Sequence, residues 1–139
     1  MTKFRGIATI NITADDHKKA VDWYRELLNT EPYYEQPGYA EFRIGDYQTE
    51  LGIVDSRFMP QLAHPDKPSG AIVYWQVDDV ESCLNELVSM GATQLEAIKN
   101  RGNGFITASL IDPFGNILGI MQNPHFLEIL KSNVGALEA

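Results

Sequence analysis

The stretch DPFGNILGIMQ, residues 112–122, predicts a tight turn followed by a strand. Its first part, Asp112 to Asn116, consists of residue types that β-turns favour, and the apolar run after it is typical of a strand. Gly119 interrupts this run. A glycine inside a strand weakens the strand and often marks a β-bulge or the close approach of another group. The role of Gly119 therefore depends on what occupies the space beside it.

The first half of the chain is predicted to contain a strand, a helix and three more strands. Residues 6–13 alternate between apolar and polar side chains, as a half-buried strand does. Asp15 or Asp16 can then cap a helix. The apolar residues of this helix recur at a spacing that forms one face: Ala20, Val21, Tyr24, Leu27 and Leu28. The three short strands are expected near residues 31–36, 38–44 and 47–54.

The second half repeats this order. Residues 71–77 predict a strand, and Asp78 with Glu81 forms a capping box for a second helix, which Gly91 ends. Three more strands are expected near residues 92–98, 104–111 and 116–122. Asp16 and Asp79 lie 63 residues apart, so the repeat is a half-domain and not a short solenoid unit.

The whole chain, residues 1–139, is therefore predicted to form one domain of the α+β class, built from two βαβββ modules. The predicted segments are module one at about 6–54, a proline-containing linker at 55–69, module two at about 70–123 and a C-terminal tail at 124–139. In the tail, residues 124–131 are expected to form a short helix and residues 133–139 to be frayed.

Composition limits the possible partners. The formal net charge is −8, which argues against nonspecific binding to nucleic acid and against binding to anionic membrane surfaces. It leaves cationic ligands possible. The single cysteine, Cys83, excludes a disulfide within the chain. No segment has the length and apolar character of a signal peptide or a membrane span, so a cytoplasmic location is expected.

Three motifs in this order resemble the vicinal oxygen chelate superfamily, which includes glyoxalases, bleomycin-resistance proteins, fosfomycin-resistance enzymes and extradiol dioxygenases. They are TADDHKKAVDWYRELL at 13–28, VDDVESCLNELVSMGA at 77–92 and DPFGNILGI at 112–120. The resemblance implies that the two modules form a curled, cup-like mixed sheet with helices outside and the ligand inside. It also implies a homodimer.

Metal-using members of this family carry four ligands, usually His or Glu, on the first and fourth strands of each module. By the resemblance, these positions fall on Thr9, Glu50, Ile72 and Gly119. Only Glu50 can bind a metal strongly, whereas zinc and iron sites need three protein ligands, so neither a metal nor another cofactor is expected. Gly119 would then leave room for a substrate. The alternative is that it relieves crowding or permits a bulge.

Side chains alternate across a strand, so neighbours two residues from these positions should also face the cup. The expected ligand-binding residues are Thr9, Asn11, Glu41, Arg43, Gln48, Glu50, Ile72, Tyr74, Gly119 and Met121. Glu50 is the only candidate catalytic residue, as a general base.

The hairpin between the third and fourth strands sets the partners of Glu50. If Gly45 and Asp46 form a two-residue turn, Glu41 lies opposite Glu50 and Arg43 opposite Gln48. Paired carboxylates are destabilising unless a cation offsets them. Either Arg43 or a cationic ligand could do so, and a satisfied ion cluster at the rim is the alternative. A one-residue slip would turn Glu41 outward.

Three functional hypotheses follow. The first is a metal-free protein that binds a small organic ligand, cationic or aromatic, as bleomycin-resistance proteins do. The second is a glyoxalase-type lyase, isomerase or dioxygenase with an atypical site. The third is an interaction module without a small ligand, whose cup is filled by its own side chains.

Overall fold

Two four-stranded sheets form the framework of the protein. A computed structural model describes residues 7–59 and 72–138. The chain divides into two units, Met1–Pro65 and Asp66–Ala139, and each unit contains one mixed sheet. Within each unit the elements follow the order strand, helix, strand, strand, strand. The predicted α+β fold of two βαβββ modules is therefore confirmed.

The first unit contains five regular elements. They are β1 (Thr9–Ala14), α1 (His17–Leu28), β2 (Tyr34–Gln36), β3 (Tyr39–Ile44) and β4 (Thr49–Asp55), and a short 3₁₀ helix (Ser56–Phe58) follows. The strands lie in the order β1-β4-β3-β2, with β1 parallel to β4 and the other pairs antiparallel. Because β1 is the first strand and yet lies beside the fourth, the parallel pair needs the helical crossover that α1 supplies.

Local sequence determines both ends of α1. The Asp16 side chain accepts a hydrogen bond from the backbone N–H of Lys19, and Asn29 ends the helix in the left-handed conformation with φ of 49°. The helix packs on β1, β3 and β4 and buries Ala20, Val21 and Tyr24. These are three of the five residues that the helical spacing predicts for the apolar face.

The second unit repeats the arrangement and adds a C-terminal helix. Its elements are β5 (Tyr74–Gln76), α2 (Val80–Ser89), β6 (Thr93–Gly102), β7 (Phe105–Ile111), β8 (Ile117–Gln122) and α3 (Pro124–Glu138). The strand order is β5-β8-β7-β6, and β5 is parallel to β8. Helix α2 packs on β6, β7 and β8 through Val80, Leu84 and Leu87.

The turn before β8 is held by one buried carboxylate. Asp112 is 3% exposed, and its side chain accepts hydrogen bonds from the backbone N–H groups of Phe114 and Asn116, each at 2.9 Å. The Asn116 side-chain amide donates to the same carboxylate at 3.1 Å. Gly115 adopts a positive φ of 93°. The turn predicted from residues 112–116 is therefore present, and it aligns β8 between β5 and β7.

The cap of α2 is Asp79, whose side chain accepts from the Ser82 N–H, and not Asp78 as the predicted capping box requires. Two further sequence-based expectations about local structure are wrong. The β3–β4 connection is a four-residue turn, Gly45 to Gln48, in which Ile44 pairs with Thr49. Gly45 and Gln48 both have positive φ, and the Gln48 N–H donates to the Gly45 carbonyl, which closes a wider turn than the predicted two-residue one. Gln48 is consequently an exposed turn residue and not a strand residue.

The second wrong expectation concerns the tail, where α3 continues to Glu138 instead of ending near Lys131. No proline interrupts this segment, and one glycine does not stop a helix that has already begun. Most of the predicted linker, residues 60–69, lies outside the described residues. None of the helices in the described part of the chain has both the length and the apolar character that a membrane span needs.

A buried carboxylate at the end of β4 makes the first unit sensitive to acid. Asp55 is 3% exposed, and the Arg57 guanidinium donates to it at 2.6 and 3.0 Å. Its bonds to the side chain and backbone of Arg57 lower the pKa of Asp55 from 3.8 to about 2. A carboxyl group with a lowered folded-state pKa stabilises the fold above its unfolded pKa, and this contribution is lost as the pH falls through the folded value.

We therefore expect Asp55→Asn to flatten the acid limb of the stability profile. Between pH 4 and pH 2, the free energy of unfolding of the wild-type protein should fall more steeply than that of the variant, because only the wild type must take up this proton. Urea unfolding at several pH values measures the difference. Asp46→Asn, in the exposed hairpin turn, is the matched control and should follow the wild type. Parallel profiles for Asp55→Asn and wild type would contradict the assignment.

Candidate functional site

One face of the first sheet carries polar and aromatic side chains. Strand pairing places Thr9, Glu50 and Arg43 in one row across β1, β4 and β3, and Asn11, Gly52 and Glu41 in the next row. Residues directly opposite one another project to the same side of a sheet. Tyr34 of β2 pairs with Glu41, and Tyr39 lies two residues before Glu41 on β3. We call this set of eight residues the first-sheet polar face.

The residues between them project to the other side of the sheet and form its core. Phe42, Leu51 and Ile53 are at most 1% exposed. His17, at the start of α1, donates from Nε2 to the Ile53 carbonyl at 2.9 Å when that nitrogen carries the proton. The alternation predicted for this sheet is thus realised, with polar side chains on one face and the core on the other.

Two carboxylates share the polar face. The true hairpin register places Glu41 opposite Gly52 and Arg43 opposite Glu50, so Glu41 is the diagonal neighbour of Glu50 and not its direct partner. Hydrogen bonding and charge repulsion from Glu41 raise the pKa of Glu50, and partial burial adds to the effect. Arg43 and Thr9 act in the opposite direction but do not reverse the shift. The predicted carboxylate pair is therefore present in a different geometry.

Tyr39 ties one of these carboxylates to the sheet. Its hydroxyl donates to Glu41 Oε1 at 2.6 Å. Burial of the ring, followed by this hydrogen bond and the Glu41 charge, raises the pKa of Tyr39 to about 12. The Tyr39 hydroxyl consequently stays protonated at all physiological pH values. By donating this hydrogen bond it orients the Glu41 carboxylate.

Arg43 does not neutralise the pair directly. Its guanidinium lies over the Tyr33 ring, 3.7 Å from the ring centroid. Among the ion pairs formed by the described residues, none joins Arg43 to Glu41 or Glu50. A cation–π contact of this kind holds the guanidinium beside the aromatic surface.

Gly52 leaves space for two side chains of the polar face, Asn11 and Tyr39. A Cβ atom at this position would collide with Asn11 Oδ1 and would lie 3.0 Å from the Tyr39 hydroxyl oxygen. The missing side chain therefore lets Asn11 and Tyr39 approach the β4 backbone.

Gly119 likewise leaves space for a neighbouring side chain in the second sheet. It pairs with Tyr74 on β5, and a Cβ atom on it would lie 2.7 Å from Tyr74 Cδ1 and 2.9 Å from the Val73 carbonyl oxygen. The Tyr74 ring covers Gly119, which favours the alternative of relieved crowding. A role of Gly119 in leaving room for a substrate stays a prediction.

The remaining predicted site residues lie in different places. Met121 pairs with Thr107 on β7 and is half-buried, and Ile72 is exposed two residues before Tyr74. Gln48 lies in the hairpin turn. Convergence of Thr9 and Glu50 with Ile72 and Gly119 on one cup involves both units and stays a prediction.

A second group of polar residues, on β6 and β7, was not predicted from the sequence. Ser109 is fully buried and donates to Glu96 at 2.9 Å, and Arg101 Nε donates to Thr107 Oγ1 at 3.0 Å. Thr107 and Ser109 alternate with apolar residues in the sequence, so their shared face could have been recognised. The positions of Glu96, Lys99 and Arg101 could not, because β6 is irregular.

The donors present do not fit the zinc or iron site of metal-using relatives. Of the four implied positions, Glu50 offers a carboxylate and Thr9 a weak hydroxyl, while Ile72 and Gly119 offer no ligand atom. Within residues 7–59 and 72–138, no three His, Cys, Asp or Glu side chains lie close enough to hold a metal ion. Such sites need three imidazole, carboxylate or thiolate ligands.

Comparison with known proteins identifies relatives of this fold. A sequence model described as "Glyoxalase/Bleomycin resistance protein/Dioxygenase superfamily" matches residues 6–120. No curated protein sequence matches the chain significantly.

Solved structures agree with the family match. A glyoxalase-related enzyme from Fulvimarina pelagi shares 19% identity with a TM-score of 0.70, and the match covers 87% of this chain and 90% of that one. TnmS3, an antibiotic-binding protein from Streptomyces sp. CB03234, shares 22% identity with a TM-score of 0.67, over 88% and 98% of the two chains. A family enzyme from Burkholderia phytofirmans PsJN shares 19% identity with a TM-score of 0.64, over 83% and 96%. At these sequence identities the likeness shows a shared fold alone.

Proposed function

The chain belongs to the glyoxalase/bleomycin resistance protein/dioxygenase superfamily, and from this premise we propose that it is a metal-free protein that binds a small organic cation with an aromatic part. The observation that carries the proposal is the Glu41–Glu50 carboxylate pair on the first-sheet polar face. We further propose that the protein is cytoplasmic and that it is a homodimer, the latter as the family resemblance implies.

The carboxylate pair favours a positively charged ligand. Arg43, the basic residue of this face, is stacked on Tyr33, and the raised pKa of Glu50 reflects the unfavourable proximity of Glu41. A ligand ammonium group between the two carboxylates would remove that repulsion and form charge-assisted hydrogen bonds. Such a cation would neutralise the two carboxylates, which form no ion pair with a side chain of the polar face in the described part of the chain.

The surrounding tyrosines favour an aromatic ligand. Tyr33 and Tyr34 are 62% and 49% exposed, and the Tyr34 and Tyr39 rings lie 6.3 Å apart between centroids. Exposed aromatic rings beside carboxylates offer stacking and cation–π contacts to a flat cation. That a Streptomyces protein with this fold binds an antibiotic supports a sequestering role for the present chain.

Calorimetric titration with benzylamine and its neutral isostere benzyl alcohol tests this function. We expect benzylamine to bind and Glu50→Gln to weaken it about tenfold, because one charge-assisted hydrogen bond is lost. Binding should also weaken as the pH falls toward the raised pKa of Glu50, because protonation removes the charge. Glu26→Gln, on the exposed side of α1, is the matched control and should bind like wild type.

Equal affinities for the amine and the alcohol would contradict the cationic assignment. Absence of binding across a broad panel of aromatic amines would instead favour an interaction module without a small ligand.

The raised pKa of Glu50 also supports a second candidate function, a glyoxalase-type lyase, isomerase or dioxygenase with an atypical site. A carboxylate with increased proton affinity is a better general base. This candidate predicts nickel, zinc, iron or manganese in stoichiometric amounts after dialysis of the purified protein. That result would exclude the metal-free proposal, whereas purified protein that retains no metal would contradict this second candidate.

A further inference from the structure

The edge strand β6 has an irregular register that changes which side chains share a face. It pairs with β7 alone, and its pairing shifts between Gln94 and Glu96, between Glu96 and Lys99, and between Asn100 and Gly102. Each shift adds one residue to β6 relative to β7. Such β-bulges re-aim side chains and are common at sheet edges and near binding sites.

The bulges bring three charged residues to one side of the sheet. Glu96 pairs with Ser109 and Lys99 pairs with Thr107, although strict alternation would place positions 96 and 99 on opposite faces. Arg101 is the extra residue of the last bulge, and its side chain reaches back to Thr107. A regular strand would not gather these side chains.

Arg101 is held in a defined orientation. Its Nε donates to Thr107 Oγ1 at 3.0 Å, and Thr107 is 8% exposed within the sheet. This hydrogen bond uses the Nε–H of the guanidinium, so the two terminal Nη groups can donate to another acceptor. Neither Arg101 nor Lys99 takes part in the ion pairs formed by the described residues.

From this arrangement we infer that Lys99, Arg101 and Thr107 form a binding site for an anionic oxygen group, a carboxylate or a phosphate. The planar fork of arginine matches the paired oxygens of both groups, and lysine adds a second positive charge. In a chain with a net charge of −8, two exposed basic residues around one buried hydroxyl are a local exception. The site lies in the second unit and does not depend on the cation proposed for the first sheet.

Glu96 limits the extent of this site. Its partner Ser109 lies two residues along β7 from Thr107, the partner of Lys99, which is about 7 Å along the strand, and the Glu96 carboxylate accepts a hydrogen bond from the Ser109 hydroxyl. Its negative charge opposes an anion at Arg101. Glu96→Gln should therefore strengthen anion binding severalfold.

Separate titrations with inorganic phosphate and with acetate at constant ionic strength test the inference. Backbone amide resonances of Lys99, Arg101 and Gly102 should shift and saturate. We expect Arg101→Gln to weaken binding at least about tenfold. Arg101→Lys should lose most of the affinity although the charge is kept, because it lacks the fork. Lys19→Gln, which removes one charge from exposed α1, is the control and should bind like wild type.

A separate variant tests whether Thr107 positions Arg101. Thr107→Val keeps the shape of the side chain and the net charge, so weaker binding in this variant would come from the lost anchor of Arg101. Saturation by phosphate alone would identify a phosphate site, and saturation by acetate as well would identify a carboxylate site. If neither anion saturates the shifts, or if Arg101→Gln binds like Lys19→Gln, the inference is overturned.

Discussion

Gly119→Ala is expected to lower the free energy of unfolding by about 2 to 3 kcal/mol, because it overpacks a buried strand. The new methyl carbon would lie 2.7 Å from Tyr74 Cδ1 and 2.9 Å from the Val73 carbonyl oxygen. The carbonyl cannot easily withdraw, since it accepts the Gly119 N–H at 3.0 Å just before β5 begins. Urea unfolding measures the loss, and the melting temperature should fall by roughly 10 °C.

A double-mutant cycle with Tyr74→Ala separates the two collisions. Removing the ring leaves only the backbone clash, so Gly119→Ala should cost about 1 kcal/mol less in the Tyr74→Ala background than in the wild type. Equal costs in both backgrounds would mean that the ring adapts freely and that the backbone alone resists the methyl group. A cost below about 0.5 kcal/mol in the wild type would contradict the crowded geometry altogether.

Gly52 and Gly119 show that the repeat extends to the details of packing. In each unit, a glycine of the last strand lies opposite a first-strand residue whose side chain folds over it, Asn11 in one case and Tyr74 in the other. The covering side chain is a small amide in the first unit and an aromatic ring in the second. The two sheets therefore offer different surfaces to a ligand although their backbones follow the same plan.

The elements predicted best from sequence are those specified by local signals. Asp16 accepts the N-terminal hydrogen bond of α1, and the Asp112 turn leads into β8, as their residue types indicate. The start of α2 was predicted to within one residue, since its cap is Asp79 and not Asp78. Each of these features depends on contacts within a few residues. The order of the elements along the chain followed from recognising the repeat.

Registers and side-chain placements could not be predicted in the same way. The β3–β4 turn depends on Gln48 adopting a positive φ, which a glutamine rarely does and the sequence does not indicate. The bulges of β6 likewise leave no recognisable pattern. Glu41 and Glu50 stayed on one face only because the register error was two residues, and an even shift preserves the side to which a residue projects.

The contents of the site depend on packing that sequence does not reveal. Arg43 could have bonded to Glu50, its partner across the strands, but it lies on Tyr33, a residue outside the predicted ligand-binding set. The space beside Gly119 is filled because the Tyr74 ring turns toward it. Both outcomes depend on the choice of side-chain rotamer, which requires the surrounding structure.

Asp112→Ala is expected to destabilise the protein by about 3 kcal/mol, because it removes the acceptor that holds the turn before β8. Two backbone N–H groups and the Asn116 amide donate to this buried carboxylate, and alanine would leave these donors without their acceptor inside the fold. Asp112→Asn keeps one acceptor oxygen and should cost about half as much. Chemical denaturation measures both values.

Asp46→Ala, in the exposed turn between β3 and β4, is the matched control and should change the free energy of unfolding by less than about 0.5 kcal/mol. The comparison distinguishes Asp112, a buried turn aspartate that accepts several hydrogen bonds, from Asp46, an exposed aspartate in a turn. Similar small losses for Asp112→Ala and Asp46→Ala would mean that the backbone bond from Asp112 N–H to the Asn116 carbonyl, at 2.8 Å, suffices to hold the turn. A large loss confined to Asp112 would establish that this carboxylate fixes β8 between β5 and β7, and with it the contact of Tyr74 on Gly119.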